Sequence, residues 1–140
     1  MEIAEAMSLG VKRVWPEAKT VLIPVADGGD GTLQALVDSS GGEVRTAKVE
    51  NAIGQTITAE WGALGNASTA VIEIANAVGL ARLNPEERDV RHASTFGIGQ
   101  LFIEALDAGF SNFIIGVGGS ATNDGGAGMI QAMGGKLTDE

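Results

Sequence analysis

The stretch FIIGVGGSATNDGGAGMIQAMG, residues 113–134, runs from an apolar segment through glycines, short polar residues and one acid into renewed apolar periodicity. It reads as a strand, a loop and a helix. Phe113, Ile114, Ile115 and Val117 supply the aromatic and β-branched residues of a strand buried on both faces, as in a parallel sheet covered by helices. The loop then falls at the strand's carboxyl end, where open α/β sheets place their ligands. Gly116, Gly118, Gly119, Gly125, Gly126 and Gly128 let a ligand come close to the backbone. Ser120, Thr122 and Asn123 add short polar groups, and Asp124 is the only charged residue from Phe113 to Gly135. A phosphate-binding loop without its own cation must borrow one, and a carboxylate beside phosphate oxygens is tolerated when Mg²⁺ bridges them. Asp124 is therefore the metal candidate, set against the plainer reading that it caps the following helix.

Two phosphate-loop templates can be tested here. The pattern G-x-x-x-x-G-K-[ST] fails because no lysine follows the glycines. Gly116, Gly118 and Ala121 satisfy the dinucleotide pattern G-x-G-x-x-[GA], with Asp139 near the spacing of a ribose-binding acid. The match is weak, because Gly134 and Gly135 cut the helix short and no second strand is evident before Asp139.

The 140 residues can bury one core, and 21 glycines with 44% hydrophobic residues indicate many tight or functional turns in a folded chain. A formal charge of −9 argues against nucleic acid and anionic membranes as partners and favours a small ligand. The lack of cysteine excludes disulfides and thiolate chemistry. Neither a membrane-length apolar run nor a basic leader is evident, so a cytoplasmic location is expected.

In chain order, Ile3, Ala6, Met7, Gly10, Val11 and Val14 predict an amphipathic helix that ends near Trp15 and Pro16, with Trp15 as a lid on its end. Thr20–Val25 reads as a strand. Ala26–Thr32 is a second loop of glycines and acids, followed by a helix from Leu33 to Ser39. Asp27 and Asp30 stand at the start of that helix, as caps or, for Asp27, as a Mg²⁺ or substrate-hydroxyl contact. Val44–Val49 and Gln55–Leu64 form a hairpin with one wet face, in which Trp61 packs and Arg45 lies at the surface. Thr69–Ile74 is a strand whose Glu73, near its carboxyl end, is a site candidate. Asn84–Asp89 is a solvated connector, and the lone histidine, His92, is a surface residue. A helix follows from Ser94 to Ala108, burying Phe96, Gly99, Ile103 and Leu106. Gly97 and Gly99 in its first turns are costly unless something packs or binds closely there.

Taken together, PVADGGDGT (residues 24–32) and IGVGGSATNDGGAGM (residues 115–129) closely resemble the bacterial glycerate kinase family, and ASTFGIGQL (residues 93–101) resembles that family's threonine and glycine segment. Asp30 stands where glutamate is expected. The resemblance implies ATP-dependent phosphorylation of D-glycerate to 2-phosphoglycerate, with Mg²⁺, in a cleft between two α/β lobes. It implies catalytic roles for Asp27 and Asp30 and a metal role for Asp124. Substrate- or nucleotide-binding roles fall to Gly28, Gly29, Gly31, Thr32, Glu73, Thr95, Gly97, Gly118, Gly119, Ser120, Ala121, Thr122, Asn123, Gly125 and Gly126. Which loop holds ATP and which holds glycerate stays open. The resemblance also implies that the chain covers less than half of a family member, beginning after a first strand and its lysine-bearing loop, so that alone it turns over little.

The expected fold is α/β, a Rossmann-like or flavodoxin-like mostly parallel sheet with a β-hairpin, part of a two-lobed kinase. Residues 1–66 belong to the first lobe and 67–140 open the second. The alternatives are a non-catalytic nucleotide- or phosphate-binding module and a dinucleotide-binding enzyme.

Overall fold

The computed structural model describes residues 2–23 and 25–138, so Pro24 of the first loop motif and Asp139 lie outside the described residues. Its elements are helices α1 (Glu2–Val14), α2 (Thr32–Ser40), α3 (Ile74–Val78), α4 (Phe96–Asp107) and α5 (Ala127–Ala132), and strands β1 (Glu43–Glu50), β2 (Thr56–Ala63), β3 (Thr69–Glu73) and β4 (Asn112–Gly116). The four strands form one sheet in the order β1-β2-β3-β4.

Among the described residues only the pairing of β3 with β4 is parallel, while β1 with β2 and β2 with β3 are antiparallel. The α/β class holds, but a mostly parallel sheet is corrected to a mostly antiparallel one. The cause lies in the connections. A tight turn (residues 51–55) and a short one (residues 64–68) can only reverse the chain, whereas the link from β3 to β4 carries a helix and can return it in parallel. The sheet is continuous across residues 65–69, where the sequence places a lobe boundary.

The hairpin alternates as read, with Ala59 and Trp61 buried between exposed Thr58 and Glu60. Trp61 packs edge-on against Phe110, and Arg45 lies over both rings at 5.4 and 5.3 Å, adding a cation–π contact to its surface position. β3 is covered on both faces. Ala70 and Ile72 join Ile98, Leu101, Phe102 and Ala105 of α4 in the larger core, while Val71 faces Leu33 and Val37 of α2. Gly62 makes room for that second layer, since a Cβ there would lie 2.7 Å from Val37 Cγ2.

Three expectations are corrected. Thr20–Val25 forms no strand among its described residues, and Val21 and Ile23 are 82% and 68% exposed, because no neighbour offers them a ladder. Among the described residues β4 pairs on one side only, leaving Ile114 and Ile115 about two-fifths exposed (40% and 41%) rather than buried on both faces. In α4, Ile103 and Leu106 lie outward and Phe96 is half-buried; the inward face is Ile98, Leu101, Phe102 and Ala105, with Gly97 and Gly99. Helix α1 forms as predicted, yet Ile3 and Met7 on its apolar stripe face solvent, and Trp15 is itself exposed. No helix among the described residues is long and apolar enough to cross a membrane.

The glycines of α4 have a packing reason. A Cβ on Gly97 would fall 1.8 Å from the Glu50 carbonyl oxygen, and one on Gly99 would fall 2.4 Å from the Met129 carbonyl oxygen. Gly97→Ala is therefore expected to cost about 1–3 kcal/mol or more through overpacking. Gly10→Ala in α1 has nothing within 4 Å and should be neutral or slightly stabilising. Urea unfolding midpoints distinguish the two, and equal midpoints would refute the packing role of Gly97.

Candidate functional site

The two glycine loops meet backbone to backbone. Gly118 N–H donates to the Gly28 carbonyl at 2.8 Å. A Cβ on Gly116 would stand 2.7 Å from that same oxygen, and one on Gly118 would stand 2.7 Å from both N and Cα of Gly29. Glycines that the sequence offers for ligand approach thus serve, at 28, 29, 116 and 118, the approach of one loop to the other. Gly28 takes φ +94°, which glycine alone adopts freely.

The first loop is locally organised. Asp27 Oδ1 accepts the Gly29 amide at 3.0 Å, and Thr32 Oγ1 accepts the Gly28 amide at 3.0 Å. Asp30 is exposed, as is Gly31, whose φ of +93° opens α2. Glu73, 3% exposed at the end of β3, accepts the Leu33 amide at 2.9 Å. It therefore satisfies a free N–H in the first turn of α2 and fixes the acidic loop to the sheet.

Asp124 is the most heavily bonded side chain of the second loop. Its Oδ2 accepts Thr95 N–H and Thr95 Oγ1–H, each at 2.8 Å, and Gly128 N–H at 3.1 Å, while Oδ1 accepts Gly126 N–H at 3.2 Å. Thr95 Oγ1 in turn accepts Met129 N–H at 3.0 Å. One carboxylate and one hydroxyl thereby serve the starts of both α4 and α5. Burial raises the Asp124 carboxyl, but the Thr95 amide and hydroxyl and the amides of Gly128 and Gly126 outweigh it and hold the group below its ordinary 3.8.

A cavity of about 430 Å³ opens beside this node. Its polar wall is Thr95, Ser120, Thr122, Asn123, Asp124, Gly125 and Gly126, and its apolar wall includes Ile74, Ile98, Ile115, Val117 and Met129. Segment 119–121 is pinned by Leu80 N–H to the Gly119 carbonyl (2.8 Å) and by Ala121 N–H to the Val78 carbonyl (2.9 Å). Ser120 Oγ accepts Thr122 N–H at 3.0 Å and lies 2.8 Å from Thr122 Oγ1. The amides of Gly118, Ala121, Thr122 and Gly126 are thus spent inside the protein, whereas those of Asn123, Asp124 and Gly125 have no acceptor among the described residues.

The structure gathers Thr95, Ser120, Thr122, Asn123, Asp124, Gly125 and Gly126 at this cavity. Asp27, Asp30, Thr32 and Glu73 do not line it, and neither do Gly28, Gly29, Gly31, Gly97, Gly118, Gly119 and Ala121. The sequence reading missed the apolar wall, whose side chains come from α3, α4, β4, the residue after β4 and α5 and share no local pattern.

Residues 1–140 match the profile of the Glycerate kinase family. The chain belongs to the glycerate kinase family. A Glycerate kinase from Halalkalibacterium halodurans is 50% identical over 140 residues, covering 100% of this chain and 37% of the relative. The Glycerate 2-kinase of Escherichia coli K12 is 46% identical over 138 residues, covering 99% of this chain and 36% of the relative. A crystal structure from Salmonella typhimurium LT2, of a protein provisionally named glycerate kinase 2, superposes with a TM-score of 0.82 at 44% identity, covering 99% of this chain and 37% of that one. The chain thus spans a little over a third of the length of these family members.

Two outcomes follow from this geometry. Gly118→Ala should break the Gly28–Gly118 bond and part the loops, read as faster amide exchange at residue 118 and across residues 28–32; unchanged protection would refute the docking. Asp124→Ala strands the donors at two helix starts and should cost about 3 kcal/mol, and Asp124→Asn, which keeps one acceptor oxygen, should cost less. Because the folded carboxyl sits below 3.8, its stabilisation is complete above that pH and is lost as pH falls through the depressed value. The gap between wild type and Asp124→Asn, measured by denaturant unfolding, should therefore begin to narrow as the pH falls below 3.8; a gap that stays the same from neutral pH into acid would contradict the ionised node.

Proposed function

We propose that this chain forms part of a glycerate kinase that transfers the γ-phosphoryl group of ATP to the 2-hydroxyl of D-glycerate, giving 2-phosphoglycerate. Family membership supports the reading, as do the names of the relatives, one of them a Glycerate 2-kinase. The observation that carries it is the cavity at the carboxyl end of β4, lined by Asn123, Asp124 and Gly125, whose three successive amides have no acceptor among the described residues. Consecutive N–H groups of this kind suit phosphate oxygens. Gly125, at φ +62°, turns the backbone there.

In this reading the loop positions the phosphates by its amides and by the hydroxyls of Ser120 and Thr122, while the apolar wall from Ile74 to Met129 excludes water. Asp27, one oxygen of which is held by Gly29, orients the glycerate hydroxyl, and Asp30 supports it from the same loop. Glu73 and Thr95 act through position, Glu73 by holding α2 and Thr95 by holding Asp124. The two lobes expected of the family belong to the same proposal, with the hairpin and the β3–β4 unit sharing one sheet.

Mg²⁺ fits here in a restricted way. No group of three or more potential metal-ligating side chains exists among the described residues, and Asp124 Oδ2 is filled by three donors. Asp124 Oδ1, with one donor, is left to hold the ion together with phosphate oxygens and water, a usual arrangement for Mg²⁺. When bound, it offsets phosphate charge. The dinucleotide alternative loses support because the whole of residues 1–140 matches the glycerate kinase family.

A chimera tests the proposal: residues 1–140 replace the matching segment of the Halalkalibacterium halodurans relative, and ADP formation is followed with Mg-ATP and D-glycerate. Turnover on the order of 1 to 100 per second supports the reading. A folded chimera that binds ATP without turnover would favour a binding module and overturn it.

A further inference from the structure

The molecule exposes more surface than its mass calls for. A folded monomer of 14.3 kDa has an accessible area of about 6,800 Å² by the usual scaling with mass, and this chain has 8639 Å². The excess, roughly 1,800 Å², is what one partner gives up in an obligate interface, where the two sides together bury about 2,000–5,000 Å². Much of the exposed surface is apolar. None of the described residues from 3 to 28 is buried, and Ile3, Met7, Val21 and Ile23 of that arm are each 68% or more exposed.

The outer edge of β4 is the second such place. Asn112 N–H donates to the Ser68 carbonyl at 3.0 Å, and backbone groups alternate in direction along a strand, so the N–H groups of Phe113 and Ile115 point away from β3. No strand pairs with that side among the described residues. The edge also lacks the features that keep edges from pairing, since residues 108–123 contain neither a charged residue nor a proline. At its carboxyl end it meets the arm. A Cβ on Gly28 would lie 3.5 Å from Val117 N, and the Gly28 carbonyl accepts Gly118 N–H, so arm and edge converge on the docked glycine loops.

A second copy of the chain would bring a further −9 to the same place, and like charge opposes it. Family members offer another occupant, because residues 1–140 match only 36–37% of their length. A segment of the same polypeptide pairs without the concentration penalty of a separate chain. We infer that the free edge of β4, with the apolar side of the arm, seats the remaining polypeptide of a family member, which adds an extended apolar strand along Phe113 and Ile115. Such a strand continues the sheet and fixes β4 where it leads into the cavity loop. The inference rests on family membership and not on the proposed reaction.

Amide exchange tests it by comparing the 140-residue chain with the chimera described above. In the chain alone, Phe113 and Ile115 should exchange about tenfold or more faster than Ile114, whose N–H lies on the β3 side, and in the chimera all three should be protected alike. The chimera should also unfold at a higher urea midpoint. Ile115→Pro is the second test, since it removes an N–H that is unpaired in the chain alone and bonded in the chimera; its loss of midpoint should be about twofold or more larger in the chimera. Fast exchange of Phe113 and Ile115 in the chimera, a chimera midpoint no higher than that of the chain, or equal losses for Ile115→Pro overturns the inference. So does a 140-residue chain that sediments as a dimer with Phe113 and Ile115 protected, because the occupant is then a second copy. Turnover enters none of these readings, so an inactive chimera with a protected edge removes the kinase reading and leaves the interface standing.

Discussion

The bond between Gly118 N–H and the Gly28 carbonyl is the constraint on which the rest of the site depends. It exists only because neither loop carries a side chain where they touch. Once the loops are docked, β4 leads into the second loop at a fixed height, and α2 follows the first loop on the far face of the sheet. A Cβ at residue 116 or 118 would come within 2.7 Å of the Gly28 carbonyl oxygen or the Gly29 backbone, so the two loops could not keep this approach.

The buried and half-buried acids then appear in a consistent role. Glu73 and Asp124 lie on different elements, yet each accepts amides at a helix start, Glu73 at α2 and Asp124 at α4 and α5. Helix starts expose N–H groups that must be satisfied, and a carboxylate satisfies them while gaining from the local positive potential. α5 has only six residues and a glycine N-cap with no side-chain bond of its own, so it depends on this help. The same bonds limit what Asp124 can do for a ligand, since three donors on one oxygen leave only the other oxygen for a metal.

Much of this was legible in the sequence. The hairpin followed from strict alternation around Asn51–Gly54, and α2 from the apolar spacing closed by Gly41 and Gly42. Where reading failed, the missing information was non-local. Thr20–Val25 has the composition of a strand but no ladder partner among the described residues, and composition cannot supply one. The inward face of α4 rotated away from Ile103 and Leu106 because Gly97 and Gly99 seat the helix against Glu50 and α5, a contact no helical period encodes. The loop glycines read as room for a ligand, but their nearest neighbours are partly each other. The motif spacing could place Asp124 and Thr95 in separate motifs, yet only the fold brings them to 2.8 Å.

The charge balance shows why the loop is built on amides. The chain carries −9 overall, and the anionic ligands proposed for it would approach against that field. At the cavity the only ionised side chain is itself negative, so attraction has to come from fixed dipoles at short range. Backbone N–H groups suit this, because they cost no side-chain entropy to hold and add no cation that could pair with Asp124 instead. An arginine within the loop would compete for the Asp124 carboxylate that serves the starts of α4 and α5. With the carboxylate so engaged, the loop keeps its course through backbone bonds instead, the Leu80 amide to the Gly119 carbonyl and the Ala121 amide to the Val78 carbonyl.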